Sequence, residues 1–273
     1  MARTRPTRRL PTAEGGLEYL LTGRGLPVTV FAPGLGATIA ETRPFGSGVA
    51  GTRVFLRFRW PEGSTAGYGA DPYGVLARDL RAVAEHVGAT RALGVSLGAG
   101  ALLRLMADAP TRFERLVFAL PAVLDDIHAG GYASRLATLA ALAGGRDVDG
   151  LARRLLAEQP AAVRRNPQAA LWARRQAAAL AYPGLAGLLP ELAGRAPLVV
   201  PAGRAALAKV KAPALVIGQE ADDAHPEAVA RELAHALPRA HLHVLSEGGA
   251  LWLARQRIRQ LVSEFLNAPA GAP

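Results

Sequence analysis

What restricts this chain most is an alternation of two periodicities. Short apolar, β-branched runs are interleaved with longer stretches whose apolar residues recur every three or four positions. "GGLEYLLTG", "LPVTVFAPGLG" and "GTRVFLRFRW" read as strands, the last closed by Pro61 and Gly63. "DPYGVLARDLRAVAEHVGA" reads as a helix. Asp71 caps it, Pro72 suits its first turn, and Val75, Leu76, Leu80, Val83 and Val87 fall on one face. "TRALGVS", "LGAGALLRLMADA" and "ERLVFALPA" then give strand, helix, strand. A chain that alternates in this way folds as a largely parallel sheet with helices on its faces. The alternation stops at about Leu124. From there to Arg195 the pattern is helical, cut into short pieces by Pro160, Pro167 and Pro183. It resumes with "APALVIGQ", "PEAVARELAHAL", "AHLHVL" and "LWLARQRIRQLVSEFLN". The expected organisation is an α/β core of residues 14–121 and 196–273, a helical insertion at 122–195 and a flexible basic tail at 1–13.

Composition narrows the function. Half of the 273 residues are apolar, enough for a substantial core. No uninterrupted apolar run reaches the roughly 18 residues of a membrane helix. The opening "MARTRPTRRLP" is basic, and no apolar region follows it, so no secretory signal and no membrane partner are expected. Cys is absent, which excludes disulfides and thiolate metal sites and fits a cytoplasmic setting. The net charge of +10 comes almost wholly from Arg, with Lys only at Lys209 and Lys211. The Arg residues are spread along the chain, and the run that interleaves Arg with aromatics, "RVFLRFRW", reads as a strand. Charge of this kind gives weak, non-specific attraction, and no specific nucleic-acid partner is expected. No cofactor and no metal are expected; the oligomeric state is open.

The chemistry is concentrated in "ALGVSLGAG". Ser occurs only six times, and one of them, Ser96, stands between Gly94 and Gly98 where a strand gives way to a helix. Gly-x-Ser-x-Gly in that setting is a nucleophile elbow. The turn is so sharp that side chains two residues either side of the serine would collide, and the following helix aims its positive end at the reacting centre.

On these residues the chain resembles the α/β-hydrolase superfamily, in particular its lidded esterases and lactonases, over residues 15–268. The resemblance implies an α/β-hydrolase fold with a mostly parallel central sheet, helices flanking it, and the insertion as a helical lid. "APGLGAT" lies where the family has its oxyanion loop, with Pro33-Gly34 in place of the usual His-Gly. The amides of Leu35 and Leu97 would be the oxyanion donors. "LVIGQEADDAHPEAVARELAHALP" matches the segment that carries the acid. The spacing to Pro226 selects Asp222, with Asp223 as the alternative.

The family places its base on the loop after the last strand, here "SEGGALW". The expected position is Ala250, and no His follows it. Of the six His, His86 and His235 lie on helices and read as packing or surface residues. His241 and His243 share a strand face. His128, His225 and His243 remain candidates for a displaced base, although the family makes no catalytic use of the position of His225. A serine without a base is a poor nucleophile. Two readings follow. In one, the protein is a serine hydrolase of a small apolar ester, lactone or amide. In the other, it is a degenerate hydrolase-fold protein that binds a small ligand without turning it over.

Overall fold

A computed structural model of the protein describes residues 6–12, 15–59, 69–194, 199–246, 249 and 252–269, with only the backbone for 126–130. Among the described residues the strands are β1 (Arg8–Thr12), β2 (Gly15–Gly23), β3 (Val28–Ala32), β4 (Thr52–Arg57), β5 (Arg91–Val95), β6 (Arg115–Ala119), β7 (Ala214–Gln219) and β8 (Ala240–Leu245). The helices are α1 (Ile39–Thr42), α2 (Pro72–His86), α3 (Leu97–Asp108), α4 (Asp126–Gly144), α5 (Val148–Ala157), α6 (Pro167–Leu180), α7 (Pro183–Gly194), α8 (Glu227–Ala236) and α9 (Arg255–Asn267).

The strands form one sheet in the order β1-β2-β4-β3-β5-β6-β7-β8. From β4 to β8 all pairings are parallel, while β1–β2 and β2–β4 are antiparallel. The central strands are buried on both faces, so their successive residues feed two cores. Leu116 and Phe118 of β6 belong to the larger core, with α2 and α3, and Val117 and Ala119 to the smaller one, with α9. Local signals act where the sequence puts them. Asp71 accepts a hydrogen bond from Gly74 N–H at 2.9 Å and Pro72 opens α2. Pro167 and Pro183 each begin a helix of the insertion.

One expectation is corrected. Residues 8–12, assigned to a flexible tail, form β1 and pair with β2 with Leu10 opposite Leu17. Leu10 packs on the larger core while its neighbours Arg9 and Pro11 stay exposed, a half-buried alternation that the surrounding arginines mask. Pro11 is tolerated because β1 is an edge strand. Residues 1–5 and 13 of the expected tail lie outside the described residues, as do Pro61 and Gly63.

Helices α4–α7 lie between β6 and β7 in sequence, where the helical insertion was expected. The insertion is fixed to the core partly through a buried hydroxyl pair, Tyr73 of α2 and Tyr132 of α4, 2.8 Å apart. Burial first, and Tyr132 second, raise the Tyr73 pKa well above its ordinary value, and burial raises that of Tyr132, so both phenols are neutral and one hydroxyl donates to the other. Tyr132→Phe should therefore leave the Tyr73 hydroxyl buried without this partner and cost about 1–3 kcal/mol, read as a lower urea midpoint with unchanged slope. No helix among the described residues is long and apolar enough to cross a membrane.

Candidate active site

Ser96 stands at the C-terminal end of the central strand β5, directly before α3. Its backbone has φ 51° and ψ −112°, a strained conformation for a residue with a side chain. The flanking glycines are required by close approach. A Cβ on Gly94 would meet Gly98 O at 2.3 Å, and one on Gly98 would meet Ala32 O at 2.4 Å and Pro33 O at 2.6 Å. The elbow is therefore wedged between its own helix and the loop after β3. That loop brings Gly34 against Ser96, so close that a Cβ on Gly34 would be 3.6 Å from Ser96 Cβ. Gly34, Leu35 and Ser96 line one cavity. Leu97 is the first residue of α3, and its N–H has no acceptor within the helix.

The acid loop follows β7. Asp222 Oδ1 accepts from the backbone N–H groups of Ala224 and His225, both at 3.0 Å. Its Oδ2 lies 3.2 Å from Gln219 Nε2 and 3.0 Å from His225 Nδ1. Burial works to raise the Asp222 pKa, but the His225 ring and the hydrogen bonds from His225 and Ala224 outweigh it, and the pKa falls below 3.8. Asp222 is thus a fixed carboxylate that folds its own loop around itself.

The decisive contact lies at the other ring nitrogen. His225 Nε2 is 2.9 Å from Ser96 Oγ. With Asp222 on Nδ1, the proton is held on that nitrogen and Nε2 is left as an acceptor facing the hydroxyl. Ser96, His225 and Asp222 form a continuous hydrogen-bonded chain, in which an imidazole can take the serine proton and an anion can stabilise the resulting cation.

Of the three histidines considered as bases, the structure brings His225 to the serine. His243 is half-buried on β8 and does not line the cavity; burial first, then Arg257, lowers its pKa. His241 is exposed. The ring of His86 packs edge-on to Tyr19. Asp223 is exposed and Asp222 holds the imidazole. Ala250 and the His128 side chain lie outside the described residues. The signal for His225 was present as D-x-x-H at a helix start: His225 N–H and ring both reach back to the carboxylate three residues earlier, so one short loop presents acid and imidazole together.

The cavity of about 360 Å³ opens from Ser96 toward the insertion. Its apolar wall includes Leu35, Leu139, Leu155, Trp172 and Leu180, and Trp252 from the segment before α9. The Trp172 and Trp252 rings meet edge to face with centroids 5.9 Å apart, and Trp252 Nε1 donates to Gln159 Oε1 at 2.9 Å. The apolar substrate expected from the sequence accounts for this wall only in part, because Arg135, Glu158, Arg175, Gln176 and Arg259 also line it. Among the described residues no group of three or more His, Asp or Glu side chains is arranged to hold a metal ion.

No protein-family model matches the chain. No curated protein matches it in sequence. Solved structures do match in fold. An α/β-hydrolase enzyme from a Medee basin deep-sea metagenome library superposes with a TM-score of 0.79 at 18% identity, over 97% of this chain and 99% of that one. The enol-lactonase of Burkholderia xenovorans LB400 gives 0.77 at 20% identity, over 96% and 100%. The 2-hydroxy-6-oxo-6-phenylhexa-2,4-dienoate hydrolase of Rhodococcus sp. strain RHA1 gives 0.77 at 17% identity, over 96% and 99%. A sheet with this order, a serine elbow at its central strand and superposition over nearly the whole length have one description: the chain has the α/β-hydrolase fold.

Proposed function

We propose that the protein is a serine hydrolase whose base is His225, moved from the loop after β8 to the acid loop after β7. The observation that carries this reading is the unbroken chain from Ser96 Oγ through His225 to Asp222, at 2.9 and 3.0 Å. Ser96 attacks the substrate carbonyl while His225 Nε2 accepts its proton. The Leu35 and Leu97 amides receive the developing oxyanion, a role that needs only backbone and is indifferent to Pro33 replacing a histidine. His225 then protonates the leaving oxygen or nitrogen. Water, deprotonated by the same imidazole, releases the acyl group and restores Ser96. The substrate class is a small ester, lactone or amide whose apolar part rests on Leu139, Leu155, Leu180 and Trp172. Helices α4–α7 act as the lid over it.

Fluorophosphonate labelling tests the proposal. The wild type should be labelled at one site, and Ser96→Ala should lose the label completely while keeping its melting temperature. A wild type inert to such probes sinks the hydrolase reading and leaves a hydrolase-fold protein that binds a ligand.

A further inference from the structure

The charged side chains of the cavity wall do not balance. Three carboxylates line it, and each is already engaged. Asp222 holds His225. Glu41 accepts from Thr38 N–H at 2.8 Å and from Thr38 Oγ1 at 2.9 Å. Glu158 is buried between Arg135 at 2.8 Å and Arg154 at 3.1 Å. Four guanidiniums line the same wall: Arg135, Arg175, Arg255 and Arg259. Arg135 belongs to the Glu158 pair. Arg175 and Arg259 have no carboxylate partner among the described residues, and both are exposed at the rim.

Their placement follows helical spacing. Arg175 lies one turn beyond Trp172 on α6. Arg255 opens α9 with its guanidinium 5.2 Å from the centre of the Trp252 ring, and Arg259 lies one turn further on. Since the two tryptophans touch, their contact draws the middle of α6, with Arg175, and the first turns of α9 to the same cavity wall. An apolar wall that ends in the Arg175 and Arg259 guanidiniums suits a ligand with an apolar body and an anionic end, because a planar guanidinium binds a carboxylate through paired hydrogen bonds.

Resting on the hydrolase reading above, we propose that the substrate is an anionic ester or lactone: its carbonyl reaches Ser96, and a carboxylate elsewhere on the molecule is received by Arg175 and Arg259.

The test compares mono-4-nitrophenyl glutarate, which ends in a carboxylate, with 4-nitrophenyl pentanoate, its neutral counterpart of equal chain length. The wild type should favour the anionic ester about tenfold in kcat/KM, the sum expected of two partly screened ion pairs. Most of the difference should lie in KM, and it should shrink as salt shortens the Debye length below about 8 Å. In Arg175→Gln/Arg259→Gln the ratio should fall to near 1, and in Arg259→Glu below 1. Equal hydrolysis of both esters by the wild type, or a ratio untouched in the double variant, overturns this inference and leaves the hydrolase reading standing. If neither ester is hydrolysed, the hydrolase reading fails. Calorimetric binding to Ser96→Ala then decides the anion site alone: monoethyl glutarate should bind about tenfold more tightly than diethyl glutarate, and equal affinity rejects it.

Discussion

His225→Ala should lower kcat for an activated ester by about 10⁴-fold or more, with KM changed only a few-fold. The argument rests on what the substitution removes and what it leaves. It removes the acceptor 2.9 Å from Ser96 Oγ, and a serine at its own pKa is a weak nucleophile. It leaves Ser96 on its elbow, the Leu35 and Leu97 amides and the cavity wall, so binding and the oxyanion hole persist. Loss of a triad member in serine hydrolases leaves a residual rate of about 10³–10⁴ over water from such parts alone. Steady-state hydrolysis of 4-nitrophenyl pentanoate, with Ser96→Ala as the background, measures the loss. His225 is partly buried at the edge of a cavity rather than packed in the core, so the variant should melt within a few degrees of the wild type. His225→Gln, which keeps a hydrogen-bonding side chain but no titrating ring, should be as inactive as the Ala variant. A second variant separates a relocated base from a missing one. Ala250→His in the wild type should add little, because Ser96 already has an imidazole against it. A large gain there, or His225→Ala with wild-type kcat, removes His225 from the mechanism.

This site shows which parts of a fold can be read from residue order and which depend on space. The strand–helix alternation, the Asp71 cap and the prolines of the insertion are local, and each element stands where its pattern put it. Ser96 was legible because its two glycines form a local motif, although only the Gly94 collision, 2.3 Å from Gly98 O, is local and Gly98 makes room for Ala32 O of β3 at 2.4 Å. Spacing to Pro226 singled out Asp222, which the structure sets against His225. The histidine that meets Ser96 was not singled out from His128, His225 and His243. His225 looked like an ordinary residue at a helix start, and only the sheet order, which sets β7 beside β6 and β6 beside β5, brings it to a serine 129 residues away. β1 was missed for a different reason. Its half-buried residues, Leu10 and Thr12, follow two arginines and flank a proline, so the alternation is too short to stand out until the pairing with β2 is seen. The cavity arginines were hidden in the same way. In a chain with so many Arg residues no local signal marks Arg175 and Arg259, and only the fold, with Trp172 of α6 against Trp252 just before α9, sets them on the wall of one cavity.

Asp222→Asn separates the acid's two duties. In the wild type its Oδ1 holds the backbone of the loop and its Oδ2 holds the ring. Asn keeps the first duty, since an amide oxygen still accepts from Ala224 and His225 N–H. The amide nitrogen then faces His225 Nδ1 and donates to it, forcing the ring proton onto Nε2. The imidazole would donate to Ser96 instead of accepting from it. Activity should therefore fall by about 10⁴-fold although the loop keeps its shape. Stability should part from activity in a way that pH reveals. The Asp222 pKa is lowered on folding, so ionised Asp222 stabilises the native state. That contribution is fully present above the unfolded carboxylate value, 3.8, and is lost as pH falls through the lower folded value. Urea unfolding of the two proteins should give a difference that narrows as pH falls below about 4. A gap that widens below about pH 4 would mean that burial, and not the His225 contact, governs this carboxylate. The acid would then have no hold on the ring, and the proton path from Ser96 would end at His225.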